Sequence, residues 1–171
     1  MPAIAHIGIG FAAKKVLPAV HVLWLIVAAE FIEIVFMLLW SLGIEHPPTD
    51  TLPPYSPYSH SILMGLAWPV IIGVLLFVIS RNRKLSVWIG LLVFSHFVLD
   101  FIASPKSAFY AADTGMPWFR DYSHTYGFGL WSNGIIGGIG EIGILIVGII
   151  IYYVTVRKIR EDKKMRILKY R

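Results

Sequence analysis

Four stretches of this 171-residue chain are apolar for about the length of a bilayer crossing, and this restricts the fold more than any other feature. They fall at 21–44, 60–80, 85–104 and 130–154. Each is near the ~20 residues that a helix needs to cross the hydrocarbon layer. The chain is 57% hydrophobic with a mean hydropathy of +0.70, too apolar for an ordinary soluble domain of its size. The expected fold is an all-α integral membrane protein, one membrane domain over 1–171. Residues 2–17 are too short for a further span that also leaves Lys14 and Lys15 inside. A short interfacial or re-entrant helix is expected there, ended near Pro18. Trp68-Pro69 predicts a kink in the second span.

Charge sets the expected orientation. The basic residues sit in three clusters beside the apolar runs: "KK" at 14–15, "RNRK" at 81–84 and the tail at 156–171. Placing all three on the cytoplasmic side leaves only Lys106 and Arg120 of the 15 Lys and Arg outside. Both termini are then expected in the cytoplasm, with the protein in the inner (plasma) membrane. The proline-rich loop 45–59 and the aromatic loop 105–129 would face outward, the latter ordered and partly covering a site. The net charge of +5 is spent on these markers, so the expected partners are membrane lipids and not nucleic acid, with a homo-oligomer left open. The first residues do not read as a cleavable signal, because their positive charges follow the apolar stretch. With no cysteine, disulfides, zinc–thiolate sites and thiol catalysis are excluded.

The runs are not purely apolar. Glu30, Glu33, His96, Asp100 and Glu141 lie inside them, and none has a lysine or arginine within the spans to neutralise it. Bare anions there would be very costly. They must be protonated, line water or share a metal ion. His96 and Asp100 in "SHFVLD" are four apart and share one helix face, as Glu30 and Glu33 do at a spacing of three. His60 in "YSHS" and His6 in "AHIGIG" stand at or before helix starts. Glu141 sits in "GIIGGIGEIG", whose glycines would let helices approach closely. His21, His46 and His124 are expected to be solvated, and Asp113, Arg120 and Asp121 to be loop charges.

Imidazole and carboxylate donors suit Zn, with Mn or Fe as alternatives. No lysine nucleophile or serine–histidine pairing is evident in the sequence. The natural chemistry is therefore metal-activated water with a nearby carboxylate as proton acceptor, for which Glu33 and Glu141 are the candidates. Each residue has a plainer reading as well. His96 and Asp100 can be an interhelical hydrogen-bond staple, His60 a cap, His6 an interfacial residue and Glu141 a protonated acid bonded to a neighbouring helix.

Taken together, "AHIGIGFAAKK", "SPYSHSILMG", "SHFVLDFI", "GFGLW" and the glutamate of the last span resemble the bacterial membrane-bound metal-dependent hydrolases of the LexA-regulated inner-membrane group. The resemblance runs over most of the chain. It implies a metal site of His6, His60, His96 and Asp100. Where many members have a "PDLD"-like run in the first long helix, this chain has "AAEFIEI", and Glu33 matches the acid of the closer relatives. Three functions follow as expectations: a metal-dependent hydrolase acting on a lipid-like or phosphate-containing amphiphile, a divalent-cation or proton transporter or channel, and a structural membrane protein with a metal or hydrogen-bond staple.

Overall fold

The computed structural model describes residues 3–47, 55–104, 106–107 and 125–169. Its order is α1 (Ala3–Ala12, continued by a 3-10 turn, Ala13–Lys15), α2 (Val22–Ala29), α3 (Phe31–Ser41), α4 (Ile62–Ser80), α5 (Arg83–Ala103) and α6 (Gly134–Lys169). Among the described residues the one strand pair is short, with Lys106–Ser107 antiparallel to Thr125–Tyr126. Three helices, α4, α5 and α6, are long and apolar enough to cross a membrane, and α2 with α3 makes a fourth if the bent pair is one span. The outer surface agrees with a bilayer as solvent: Val70 and Ile79 on α4 are 64% and 72% exposed, while His96, Asp100, Ser59 and Glu45 are buried. A water-soluble bundle would have these reversed.

Local chemistry explains the element ends. His21 accepts from the Leu23 amide at the start of α2, Ser61 from Met64 at α4 and Asn82 from Leu85 at α5, each satisfying an amide that the first turn leaves free. α4 runs as one helix through Pro69. The first long run is instead broken, since α2 and α3 meet at a 62° bend. Glu30 sits at the break with φ −90° and ψ 5°. Leu25, Ala28, Ala29 and Ile32 from this bent pair pack with Ile89, Leu92 and Val93 of α5 to form the apolar core.

α1 is a buried member of the bundle. Gly8 lies so close to α6 that a Cβ there would stand 2.6 Å from the Ile144 carbonyl oxygen, and Gly148 of α6 would clash with the Gly8 backbone in return. The two helices therefore touch backbone to backbone. Pairs along their length rise together: the amides of Ile4 and Ala5 meet Glu141, Gly8 meets Ile144 and Gly148, and Phe11 packs on Tyr152. Hence α1 is parallel to α6. Against α5 the order is reversed, since His6 near the start of α1 lies beside His96 and Asp100 near the end of α5, and Ile9, Val16, Trp88 and Ser95 line one groove between the two helices.

Two consequences follow for the topology. Lys14 and Lys15, the 81–84 turn and the tail gather at one end of the bundle, which the charge pattern requires. The start of α1 points to the other end. The start of α1 and the end of α6 therefore lie at opposite ends of the bundle, because a helix parallel to α6 cannot begin where α6 finishes. With ten α-helical and three 3-10 residues, α1 spans roughly 21 Å, less than a ~30 Å hydrocarbon layer. Because the chain has no cysteine, single cysteines can report the sidedness. Ile4→Cys and Lys164→Cys are expected to react with an impermeant maleimide from opposite faces; labelling of both from one face would contradict the parallel arrangement.

Candidate metal centre

Four elements converge at one buried point. His96 and Asp100 come from one face of α5, four residues apart. α1 brings His6, the segment just before α4 brings His60, and α3 brings Glu33. Asp100 is central: one carboxylate oxygen is 3.7 Å from Nε2 of His6, and the other is 3.5 Å from Nε2 of His60 and 3.9 Å from Nε2 of His96. Glu33 Oε2 lies 3.3 Å from Nε2 of His60. The rings of His6 and His96 stack with centroids 3.7 Å apart and planes 4° from parallel. Two donor groups result, His6–His96–Asp100 and Glu33–His60–His96, each with its donor atoms within 4.8 Å of one another.

The hydrogen bonds outside this cluster decide which nitrogen faces in. His96 Nδ1 lies 2.9 Å from the carbonyl oxygen of Ala29. A carbonyl only accepts, so Nδ1 carries the proton and Nε2 is left with a lone pair. That carbonyl is available because Ala29 is the last residue of α2, and the final carbonyls of a helix have no partner within it. The bend at Glu30 thus serves the centre directly. His60 Nδ1 lies 2.8 Å from Ser59 Oγ, whose own hydroxyl donates to Glu45 Oε2 at 2.6 Å. Here too Nδ1 must donate, and Nε2 faces Asp100 and Glu33 as an acceptor.

The result is a set of nitrogen and oxygen lone pairs turned towards one another. The Nε2 atoms of His60 and His96 are buried and lack a hydrogen-bond donor. They face carboxylate oxygens at 3.3–3.9 Å. Lone pairs opposed at this distance repel unless a proton or a metal cation lies between them. Donors around a zinc ion with bonds of 2.0–2.1 Å in tetrahedral geometry are about 3.3 Å apart, close to the spacing seen. The donor chemistry, all nitrogen and oxygen, fits zinc, manganese or ferrous iron. His6 differs from the other two rings, since its Nδ1 is buried with no partner among the described residues.

Exposure grades across the cluster. The side chains of His6, His60, His96 and Asp100 are 1–3% exposed, whereas that of Glu33 is 37% exposed. Glu33 therefore stands at the mouth. Glu30, on the same run, belongs to neither donor group, and its Oε1 is buried without a hydrogen-bond partner among the described residues. Asp100 is 17 residues along α5 from Arg83, roughly 25 Å from the basic end. The centre therefore lies towards the opposite end of the bundle.

No protein-family model, curated protein or solved structure matches this chain.

Glu141, expected as a catalytic acid, lies outside both donor groups and has another task. Its Oε2 accepts from the amides of Ile4 and Ala5, both at 2.9 Å, and its Oε1 from the Trp131 indole at 3.2 Å. Buried helix starts leave amides unsatisfied, and a carboxylate there also opposes the positive end of the helix dipole. Two of the "GIIGGIGEIG" glycines, Gly137 and Gly140, make room for the Trp131 ring, so this glycine run accommodates an aromatic side chain as well as backbone. Glu141→Ala is expected to cost about 1–3 kcal/mol of stability, the desolvation penalty of the abandoned donors, and to weaken divalent-ion binding without abolishing it. A thermal melt with and without added zinc tests this; complete loss of zinc binding in a fully folded variant would make Glu141 a ligand.

The structure also supplies a pairing that the sequence hid. Ser59 and His60 are hydrogen-bonded, but Ser59 is fully buried and its proton is committed to Glu45, so it is not an accessible nucleophile. Glu45 went unnoticed because it follows the apolar run beside the "HPP" turn and reads as a loop acid. Its signal was the "YSHS" thirteen residues on, a serine next to a histidine. His46, expected in solvent, stacks on Tyr55. Of the aromatic loop 105–129, residue 105 and residues 108–124, with His124, Asp113, Arg120 and Asp121, lie outside the described residues. The Phe128 amide donates to the carbonyl of Phe101, tying the end of that loop to α5.

Proposed function

We propose that this protein is a membrane-embedded, metal-dependent hydrolase with its basic end in the cytoplasm, in the inner membrane of a bacterium. The observation that carries the reading is the opposition of the buried Nε2 lone pairs of His60 and His96 to the carboxylates of Asp100 and Glu33. A divalent cation satisfies His60, His96 and Asp100 at once and leaves Glu33 beside it. His6, His60, His96 and Asp100 hold the ion, zinc by preference, and the likeness to the membrane-bound metal-dependent hydrolases belongs to this same proposal. When bound, such an ion lowers the pKa of water enough to supply hydroxide near neutral pH and polarises a phosphoryl or acyl oxygen.

The remaining steps fall to the chain. Glu33, at the mouth, accepts the proton from the attacking water and can return it to the leaving group. The burial of the histidines and Asp100 keeps bulk water from their donor atoms. A centre near the far end of the bundle, set among apolar helices, suits a substrate with a polar head and an acyl or prenyl chain. The test is hydrolysis of a panel of phospholipids and lipid-linked phosphates in nanodiscs. Activity that chelation removes, zinc restores and Glu33→Gln lowers by about 10²–10⁴-fold is the expected result. Zinc flux across vesicles with no hydrolysis of any panel member would favour a transporter instead.

A further inference from the structure

We infer that Glu45 is a positioning residue, which acts through Ser59 to lock His60 in the tautomer protonated on Nδ1 and aims its Nε2 lone pair into the centre. Only the second readout below depends on the metal-centre reading. Glu45 is 1% exposed, just past the C-terminal end of α3, and no basic side chain pairs with it among the described residues. Its carboxylate is instead filled by three donors: the Tyr58 amide at 2.7 Å, the Ser59 amide at 3.0 Å and the Ser59 hydroxyl at 2.6 Å. A buried carboxylate with this many hydrogen bonds is a fixed acceptor. It therefore orients the Ser59 hydroxyl, and the oxygen of that hydroxyl can only accept from His60 Nδ1 at 2.8 Å.

The arrangement solves a particular difficulty. His60 precedes α4 and lies outside any helix, so no ridge of side chains fixes its ring. Ser61 caps α4 through Met64, and Ser59 holds the ring, so two neighbouring serines have distinct tasks. His96 obtains the same tautomer from the Ala29 carbonyl. For a metal-binding histidine, such an outer acceptor sets ring orientation and basicity. The Glu45 carboxylate also ties the end of α3 to the start of α4.

The test is the tautomer itself, read in metal-free protein labelled with nitrogen-15 in its histidines. In detergent, long-range proton–nitrogen spectra distinguish protonated from bare ring nitrogens, and His60→Gln assigns the signal. Wild-type His60 is expected to be one tautomer with a protonated Nδ1 and a bare Nε2. Ser59→Ala and Glu45→Gln should each give mixed tautomers, and Ser59→Thr should restore the single one. The His96 signal reports that the bundle is intact in each variant. Zinc titration is the second readout: about 10–100-fold weaker binding is expected in Ser59→Ala and Glu45→Gln, with recovery in Ser59→Thr. A wild-type His60 protonated on Nε2, or a tautomer unchanged in both variants, would overturn the inference. If the tautomer is as inferred and zinc does not bind, the metal reading fails while the role of Glu45 stands. If zinc binds and neither variant alters the ring, the reverse holds.

Discussion

His96→Asn is expected to empty the centre of divalent ion while the helices remain inserted. Asparagine keeps a hydrogen-bonding group of similar reach, so a staple to the Ala29 carbonyl can survive. The amide is, however, a poor metal ligand, and the donor common to both groups is lost. Its neighbours still carry an apolar run sufficient for insertion, since α5 is long and apolar enough to cross a membrane. Metal content should fall from near one equivalent to background, with hydrolysis lost in parallel. Asp100→Asn should do the same, as its carboxylate stands within 3.9 Å of all three histidines. Retention of full metal content by His96→Asn would identify the pair as a hydrogen-bond staple.

Gly148→Leu is expected to expel α1 from the bundle and release the ion from a distance. A Cβ at this position would fall on the Gly8 backbone, which cannot rotate away as a side chain can. Overpacking of this kind costs about 1–3 kcal/mol. Here the relief is displacement of α1, which takes His6 away from Asp100. Gly143→Leu is the control, because nothing lies within 4 Å of a Cβ there and leucine is a better helix former than glycine. Protease sensitivity of the N-terminal segment, together with metal content, measures both variants. An unchanged metal content and an unaltered digest for Gly148→Leu would mean that α1 does not need to be in place for the centre to form.

The long apolar helices and most members of the buried histidine–carboxylate cluster could be read in the sequence, for definite reasons. Apolar run length sets α4, α5 and α6, and the four-residue spacing of His96 and Asp100 puts them on one face wherever the helix goes. His60 and His6 could be named from their residue type and surroundings, but their meeting with Asp100 depends on tertiary packing. The break at Glu30 had no glycine or proline to announce it, and its use is apparent only from the Ala29 carbonyl reaching His96. The role of Glu141 was hidden by distance: it caps a helix start more than 130 residues away in the chain. The direction of α1 was hidden because charge rules place the ends of full spans, and α1 is too short to be one.

The central claim is that five side chains, His6, Glu33, His60, His96 and Asp100, form a divalent-metal centre within the bundle. Elemental analysis of the wild-type protein, purified without added chelator and dialysed exhaustively, tests it most directly. One equivalent of zinc, manganese or iron retained per chain, and lost on prolonged chelation, is the predicted result. Protein that emerges with no retained ion, and binds none of the three on titration, would contradict it.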